Sequence, residues 1–148
     1  MATVAELLNT LNEVDVATEA VTAITQTKDE MIMLNQEQLS AGYDSEGYRL
    51  LQYRSKDYAA SKHLQNPLPG IGNPDLILTG AFISSFDVKL SGYDILFNAS
   101  DDKAPELLSK YGDDVLGLMH RQQRYYNEEV FYPVFARQIE NKTGLKFK

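Results

Sequence analysis

The residues of this chain best suited to chemistry are two acidic doublets, Asp101-Asp102 and Asp113-Asp114, and two histidines, His63 and His120. Clustered carboxylates can hold Ca²⁺ or Mg²⁺ or divide acid and base roles, and an imidazole can act as a general base. Neither doublet has the alternating spacing of a calcium loop, and Asp44-Ser45-Glu46-Gly47 lacks it as well. Two histidines and no cysteine exclude a His-rich or thiolate metal site. Helix capping accounts for the carboxylates, because an acid at a helix start satisfies free N–H groups and favours the positive end of the dipole. With no visible nucleophile to pair with, each His reads as a surface or partly packed imidazole. Gly70-Ile71-Gly72 is the one G-x-G, but Asp75 stands where the third glycine of a dinucleotide fingerprint belongs. There is no G-x-x-x-x-G-K-[ST] phosphate loop and no G-x-S-x-G elbow. The expectation is a protein that is not an enzyme and carries no cofactor or metal, with a hydrolase or nuclease built on the doublets as the alternative.

Aromatic side chains form the other unusual set. Tyr125, Tyr126, Phe131, Tyr132 and Phe135 crowd one C-terminal helical pattern. Successive helical residues point about 100° apart, so these rings cannot all enter one core from a single helix. Either the helix is widely buried, or some rings lie on a second surface where tyrosine, with a ring that buries and a hydroxyl that stays hydrogen-bonded, suits a partner contact.

The elements that must carry these groups are legible in outline. A chain of 148 residues with 43% hydrophobic content is sized for one domain with a real core, and residues 1–148 are expected to form a single domain. Val4, Leu7, Leu8 and Leu11, then Val14, Val21, Ile24, Met31 and Leu34, recur at helical intervals. The first forty residues are therefore predicted to be mostly helix, broken near Asn12 to Asp15, stopped at Gly42 and packed onto a sheet. Ser55 or Asp57 opens a short helix, and the three prolines and two glycines of residues 66–74 read as an exposed loop. Phe82 to Leu90 and Tyr93 to Ala99, flanking Ser91-Gly92, alternate as an antiparallel hairpin with one buried face. Asp101 or Asp102 caps a helix with Pro105 in its first turn and Gly112 as its stop. The last helix must kink at Pro133 or restart there, and Gly144 ends it. The fold class is α+β: a long N-terminal helical segment, a small antiparallel sheet with a central hairpin, and C-terminal helices.

Charge narrows the partners. A net charge of -7 and a pI near 4.8 disfavour sequence-independent nucleic-acid binding, which basic side chains drive by displacing phosphate counterions. Residues 1–50 are strongly acidic, whereas residues 120–148 hold six bases against three acids. These regions are either two solvated faces or a head-to-tail match between subunits. No window approaches a membrane helix and Met1-Ala2-Thr3-Val4 lacks the start of a secretory signal, so a cytoplasmic origin without membrane contact is expected. Asn98-Ala99-Ser100 and Asn141-Lys142-Thr143 match glycosylation acceptors, which carry no weight without such a signal.

The stretch Leu76-Ile77-Leu78-Thr79-Gly80-Ala81-Phe82-Ile83-Ser84-Ser85-Phe86-Asp87-Val88 resembles the L-x-x-T-G-x-[LF]-x-x-S-[IF]-x-V run of tailed-phage virion morphogenesis proteins, the small tail-completion or neck components. Upstream, Glu37-Gln38-Leu39, Gly42, Asp44 and Gly47 are similar to a Q-L-x-x-G-x-D-x-x-G run in proteins of that kind, and the likeness covers roughly residues 37 to 118. It implies a structural virion protein, made in the host cytoplasm, that joins head to tail as a homo-oligomeric ring touching portal, adaptor or tail proteins. Leu76, Thr79, Gly80, Phe82, Ser85 and Phe86 then join Tyr125, Tyr126, Phe131, Tyr132 and Phe135 as motif and candidate interface residues. Phe82 and Phe86 can anchor either core or subunit contacts, and a negative ring lumen would let DNA slide. A phage-encoded module or inhibitor that binds a host protein fits the acidity equally well.

Overall fold

The structure is a computed structural model that describes residues 3–53, 55–70, 72, 74 and 80–146. It is a mixed α and β fold with a long N-terminal helix, a two-stranded antiparallel sheet and C-terminal helices. The chain divides into two compact units, one of Met1–Lys28 with Tyr125–Lys148 and one of Asp29–Arg124.

In the first unit, helix α1 (Val4–Glu13) opens on a capping box. Thr3 Oγ1 accepts the Glu6 N–H at 3.2 Å, and the Glu6 carboxylate accepts the Thr3 N–H at 2.7 Å. The expected break falls at Val14 and Asp15, where Asp15 Oδ1 accepts the N–H of Ala17 at 3.1 Å and starts helix α2 (Val16–Ser40). The apolar stripe predicted for α1 is not buried: Val4, Leu8 and Leu11 are exposed. On α2 the covered positions of this unit are Glu19, Ala23 and Thr27, one turn apart, rather than Val21 and Ile24. Glu19 is covered because it forms an ion pair with Lys142.

The C-terminal pattern resolves into α6 (His120–Tyr125), a π-helical segment Tyr126–Phe131, and α7 (Tyr132–Thr143), with α1 lying against α7 within the first unit. Phe131 and Tyr132 both keep right-handed helical dihedrals, so the chain stays helical through the junction, and α7 restarts there with Pro133 in its first turn, one of the two expected outcomes. The helix widens ahead of that proline. A proline inside an α-helix lacks its N–H and drives its ring toward the carbonyl four residues back, and the wider segment just before Pro133 accommodates both defects. Gly144 ends α7 with φ +76°.

In the second unit the remainder of α2 buries Met31, Leu34, Asn35, Gln38 and Leu39 and stops at Gly42, whose φ of +87° only glycine adopts readily. Asp44 Oδ1 accepts the N–H groups of Glu46 (3.0 Å) and Tyr48 (2.9 Å), closing a turn after α2. Ser55 caps α3 (Lys56–Gln65) through the Tyr58 N–H. The Pro/Gly segment is exposed only in part: Pro67 and Leu68 are exposed, whereas Pro69 and Pro74 are fully buried, with Pro69 packed at Gly42. Gly80, at φ +82°, leads into the single helical turn α4 (Ala81–Ser84), followed by β1 (Phe86–Ser91) and β2 (Asp94–Ala99). Helix α5 (Ala104–Tyr111) has Pro105 in its first turn and Gly112 at its end, and a 3₁₀ turn covers Asp113–Val115. Leu39, Leu50, Phe82, Phe86, Ala104 and Val115 make the core, with Leu107 and Leu108 packed against it. Leu39 and Ile32 of α2 thus share this core with Phe86 at the base of the sheet.

Candidate interaction surface

The hairpin begins four residues later than its apolar run suggests. Phe82 and Ile83 lie in α4, because Gly80 turns the chain and Ser85 closes the turn, its hydroxyl donating to the Phe82 carbonyl at 2.7 Å and its N–H to the Ala81 carbonyl at 3.2 Å. The strands pair in one register, with Phe86 opposite Ala99, Val88 opposite Phe97, Leu90 opposite Ile95 and Ser91 opposite Asp94. The two turn residues are consequently Gly92 and Tyr93 rather than Ser91 and Gly92. Gly92, at φ +60°, supplies the left-handed backbone that primed hairpin turns need at their first central position.

The buried face expected for the hairpin exists only at its base. Phe86 and Val88 are buried, and Phe82 meets Phe86 edge to face at 5.1 Å between centroids. Of the two roles open to Phe82 and Phe86, they fill the core. Outward along β2 the apolar side chains emerge: Ile95 is 39% exposed, Leu96 50%, and Tyr93 at the tip 87%. Ile95 shares a face with Val88 and Phe97, while Leu96 points to the opposite face beside Lys89. Leu76 and Thr79 lie outside the described residues.

In the first unit the five aromatic residues divide between surfaces. Tyr126 is buried, its hydroxyl 2.7 Å from Thr27 Oγ1. Burial pushes the Tyr126 phenol up from its ordinary value, against the smaller downward pull of the Thr27 hydroxyl. Phe131 and Phe135 are half-buried and stack at 5.3 Å, whereas Tyr125 (51%) and Tyr132 (44%) are exposed.

The carboxylates take modest structural places. Asp101 accepts the Lys103 N–H at 3.1 Å next to the start of α5, and Asp44 holds its turn. The 3₁₀ turn of Asp113 and Asp114 has no side-chain cap, so capping does not explain that doublet. Among the described residues no group of three or more His, Cys, Asp or Glu is placed to hold a metal ion, and no helix is long and apolar enough to cross a membrane.

Sequence patterning overlooked a buried amide pair. Asn35 donates to the Val115 carbonyl (3.1 Å) and accepts the Gly117 N–H (3.0 Å), while Gln38 donates to the Gly117 carbonyl (3.1 Å) and accepts the Met119 N–H (2.7 Å). The available signal was an Asn and a Gln three residues apart on the apolar side of α2. Their role here is architectural. Comparison with protein-family models, curated proteins and solved structures returned no significant match for this chain.

Proposed function

We propose that this chain is a structural assembly protein of a tailed-phage particle, a neck or tail-completion component that self-associates into a ring and docks to portal, adaptor or tail proteins. The observation that carries the assembly part is the hairpin: an ordered, hydrogen-bonded element that keeps Ile95, Leu96 and Tyr93 at the surface. Ile95 and Leu96 give both faces of the hairpin exposed apolar surface, which supports a contact role. Exposed Val4, Leu8 and Leu11 on α1, and Tyr125 and Tyr132 beside the π-helical segment, supply further apolar surface of the same kind. The phage part rests on the likeness of the Leu76 to Val88 stretch to virion morphogenesis proteins. The net charge of -7 suits a ring through which DNA slides without being held.

Mass in solution and electron microscopy of the purified protein, alone and with portal or tail proteins, test this function. A ring-sized oligomer or a stable complex with those proteins is expected. A strict monomer in both settings overturns it, and co-purification with a host protein in place of virion proteins assigns the chain to the inhibitor class instead.

A further inference from the structure

We infer that the outer edge of β2, which pairs with no strand among the described residues, pairs with β2 of a second copy across a two-fold axis, centred on Leu96. Two-stranded sheets are marginal on their own and gain from added strands. In this one the two strands are unequally covered: β1 buries Phe86 and Val88, whereas Asp94, Ile95, Leu96 and Asn98 of β2 are all exposed. Proteins that leave an edge strand bare protect it with Lys, Pro or a bulge. β2 reads Asp94-Ile95-Leu96-Phe97-Asn98-Ala99, with no Lys or Pro, an unbroken register against β1, and apolar side chains on both faces. Such an edge is built to be covered by a strand.

The occupant follows from the register. Ser91 and Asp94 flank a two-residue turn and so form a hydrogen-bonded pair. By alternation, Asp94, Leu96 and Asn98 turn their backbone groups toward β1, and Ile95 and Phe97 turn theirs to the open edge. Antiparallel pairing about Leu96 sets Ile95 opposite Phe97 of the second copy, and Phe97 opposite its Ile95. These are the residues whose N–H and C=O groups point outward, so the hydrogen bonds meet in phase. Leu96 then faces Leu96 as a non-hydrogen-bonded pair, the closer of the two kinds. Asp94 faces Asn98, an acceptor against an amide donor, and no like charges oppose one another. Pairing of β1 with itself about Lys89 would set two ammonium groups together. On the inner face the pairing extends the apolar strip of Leu90 and Ile95 with Phe97 of the second copy. This contact does not depend on the virion function proposed above: it joins copies in pairs, and a ring uses a second, different surface.

The chain has no cysteine, which makes the test direct. Leu96→Cys places one thiol on the two-fold axis, within the Cα separation a disulfide spans. Lys89→Cys, the cross-strand neighbour on β1, is the control. Under mild oxidation Leu96→Cys is expected to form a disulfide-linked dimer while Lys89→Cys stays monomeric. In sedimentation of the cysteine-free protein, Leu96→Lys is expected to weaken dimerisation by at least about tenfold, with an unchanged circular dichroism spectrum, because it opposes two like charges at the centre of the contact. Equal cross-linking of the two cysteine variants, or an oligomer that Leu96→Lys leaves intact, overturns the strand pairing. The second of these results leaves the assembly function standing on another surface, whereas a protein that is monomeric at every concentration and beside virion proteins removes both.

Discussion

Asn35 and Gln38, one turn apart on α2, grip the segment Val115–Met119 from the side, their two amides meeting the backbone of Val115, Gly117 and Met119. Each amide uses one donor and one acceptor, and the contacted residues alternate along the segment.

Asn35→Ala leaves the Val115 carbonyl and the Gly117 N–H without their partner, and Asn35 is fully buried. The expected loss is about 2–4 kcal/mol in denaturant unfolding. Asn35→Asp keeps the acceptor for Gly117 but turns a carboxylate toward the Val115 carbonyl. Its stability is expected to recover in part on acidification, when the protonated carboxyl donates to that oxygen.

Gly42 and Gly144 both sit at positive φ, yet their substitutions separate strain from crowding. A Cβ on Gly42 would lie 2.8 Å from Pro69 Cβ and 3.1 Å from the Pro74 carbonyl, whereas one on Gly144 meets nothing within 4 Å. Gly42→Ala is expected to cost about 2–4 kcal/mol, and Gly144→Ala about 1 kcal/mol from backbone strain alone. Urea midpoints of the two variants, measured side by side, check the difference.

Features set by neighbours in sequence were legible, and features set by distant partners were not. Asp15, Gly42, Gly112 and Gly144 mark helix boundaries through their own backbone chemistry, and each acts where it was expected. Thr27, Asn35 and Gln38 rank as surface residues on any hydropathy pattern, and they are buried because Tyr126 and the Val115 to Met119 segment, roughly 80 or more positions away, complete their hydrogen bonds. Phe82 and Ile83 have strand-like side chains, but Gly80 and Ser85 close a helical turn around them. The division of the aromatic residues followed from helical rotation, while the π-helical segment depends on how the chain relieves Pro133.

The caps of α1 and α2 predict acid sensitivity at the N-terminus. The backbone and hydroxyl of Thr3 hold the Glu6 carboxyl below its ordinary value, and the hydroxyl and backbone of Thr18 do the same for Asp15. A carboxylate held low in the folded state contributes stability above its unfolded value, and loses it as pH falls through the lower folded value. Amide exchange at Thr3, Ala17 and Thr18 is expected to lose protection, relative to amides in the core, as pH drops below about 4. Asp15→Asn should keep most protection at Ala17 and flatten this dependence, whereas Asp15→Ala should lose it at every pH. Both carboxylates are fully exposed, so added salt is expected to shrink the effect.

Tyr126 sets the opposite arm of the pH profile. Thr27 Oγ1 lies 2.7 Å from both the Ala23 carbonyl and the Tyr126 hydroxyl, and its downward pull on the phenol is smaller than the upward push of burial. Burial raises the folded phenol above its ordinary value of 10.0. Below that value both states keep the proton and stability does not change with it. As pH rises further the unfolded chain ionises first, so stability falls until the folded value is passed. Tyr126→Phe is expected to cost about 1 kcal/mol at neutral pH through the lost hydrogen bond and to make the alkaline decline shallower. Thr27→Val should cost more than Tyr126→Phe, because it leaves the buried Tyr126 hydroxyl without its hydrogen-bond partner. Ultraviolet titration of the tyrosines gives the independent check: one of the nine should ionise late in the wild type, and that late step should be absent from Tyr126→Phe. If the late step persists in the variant, Tyr126 is not the residue that carries the alkaline arm.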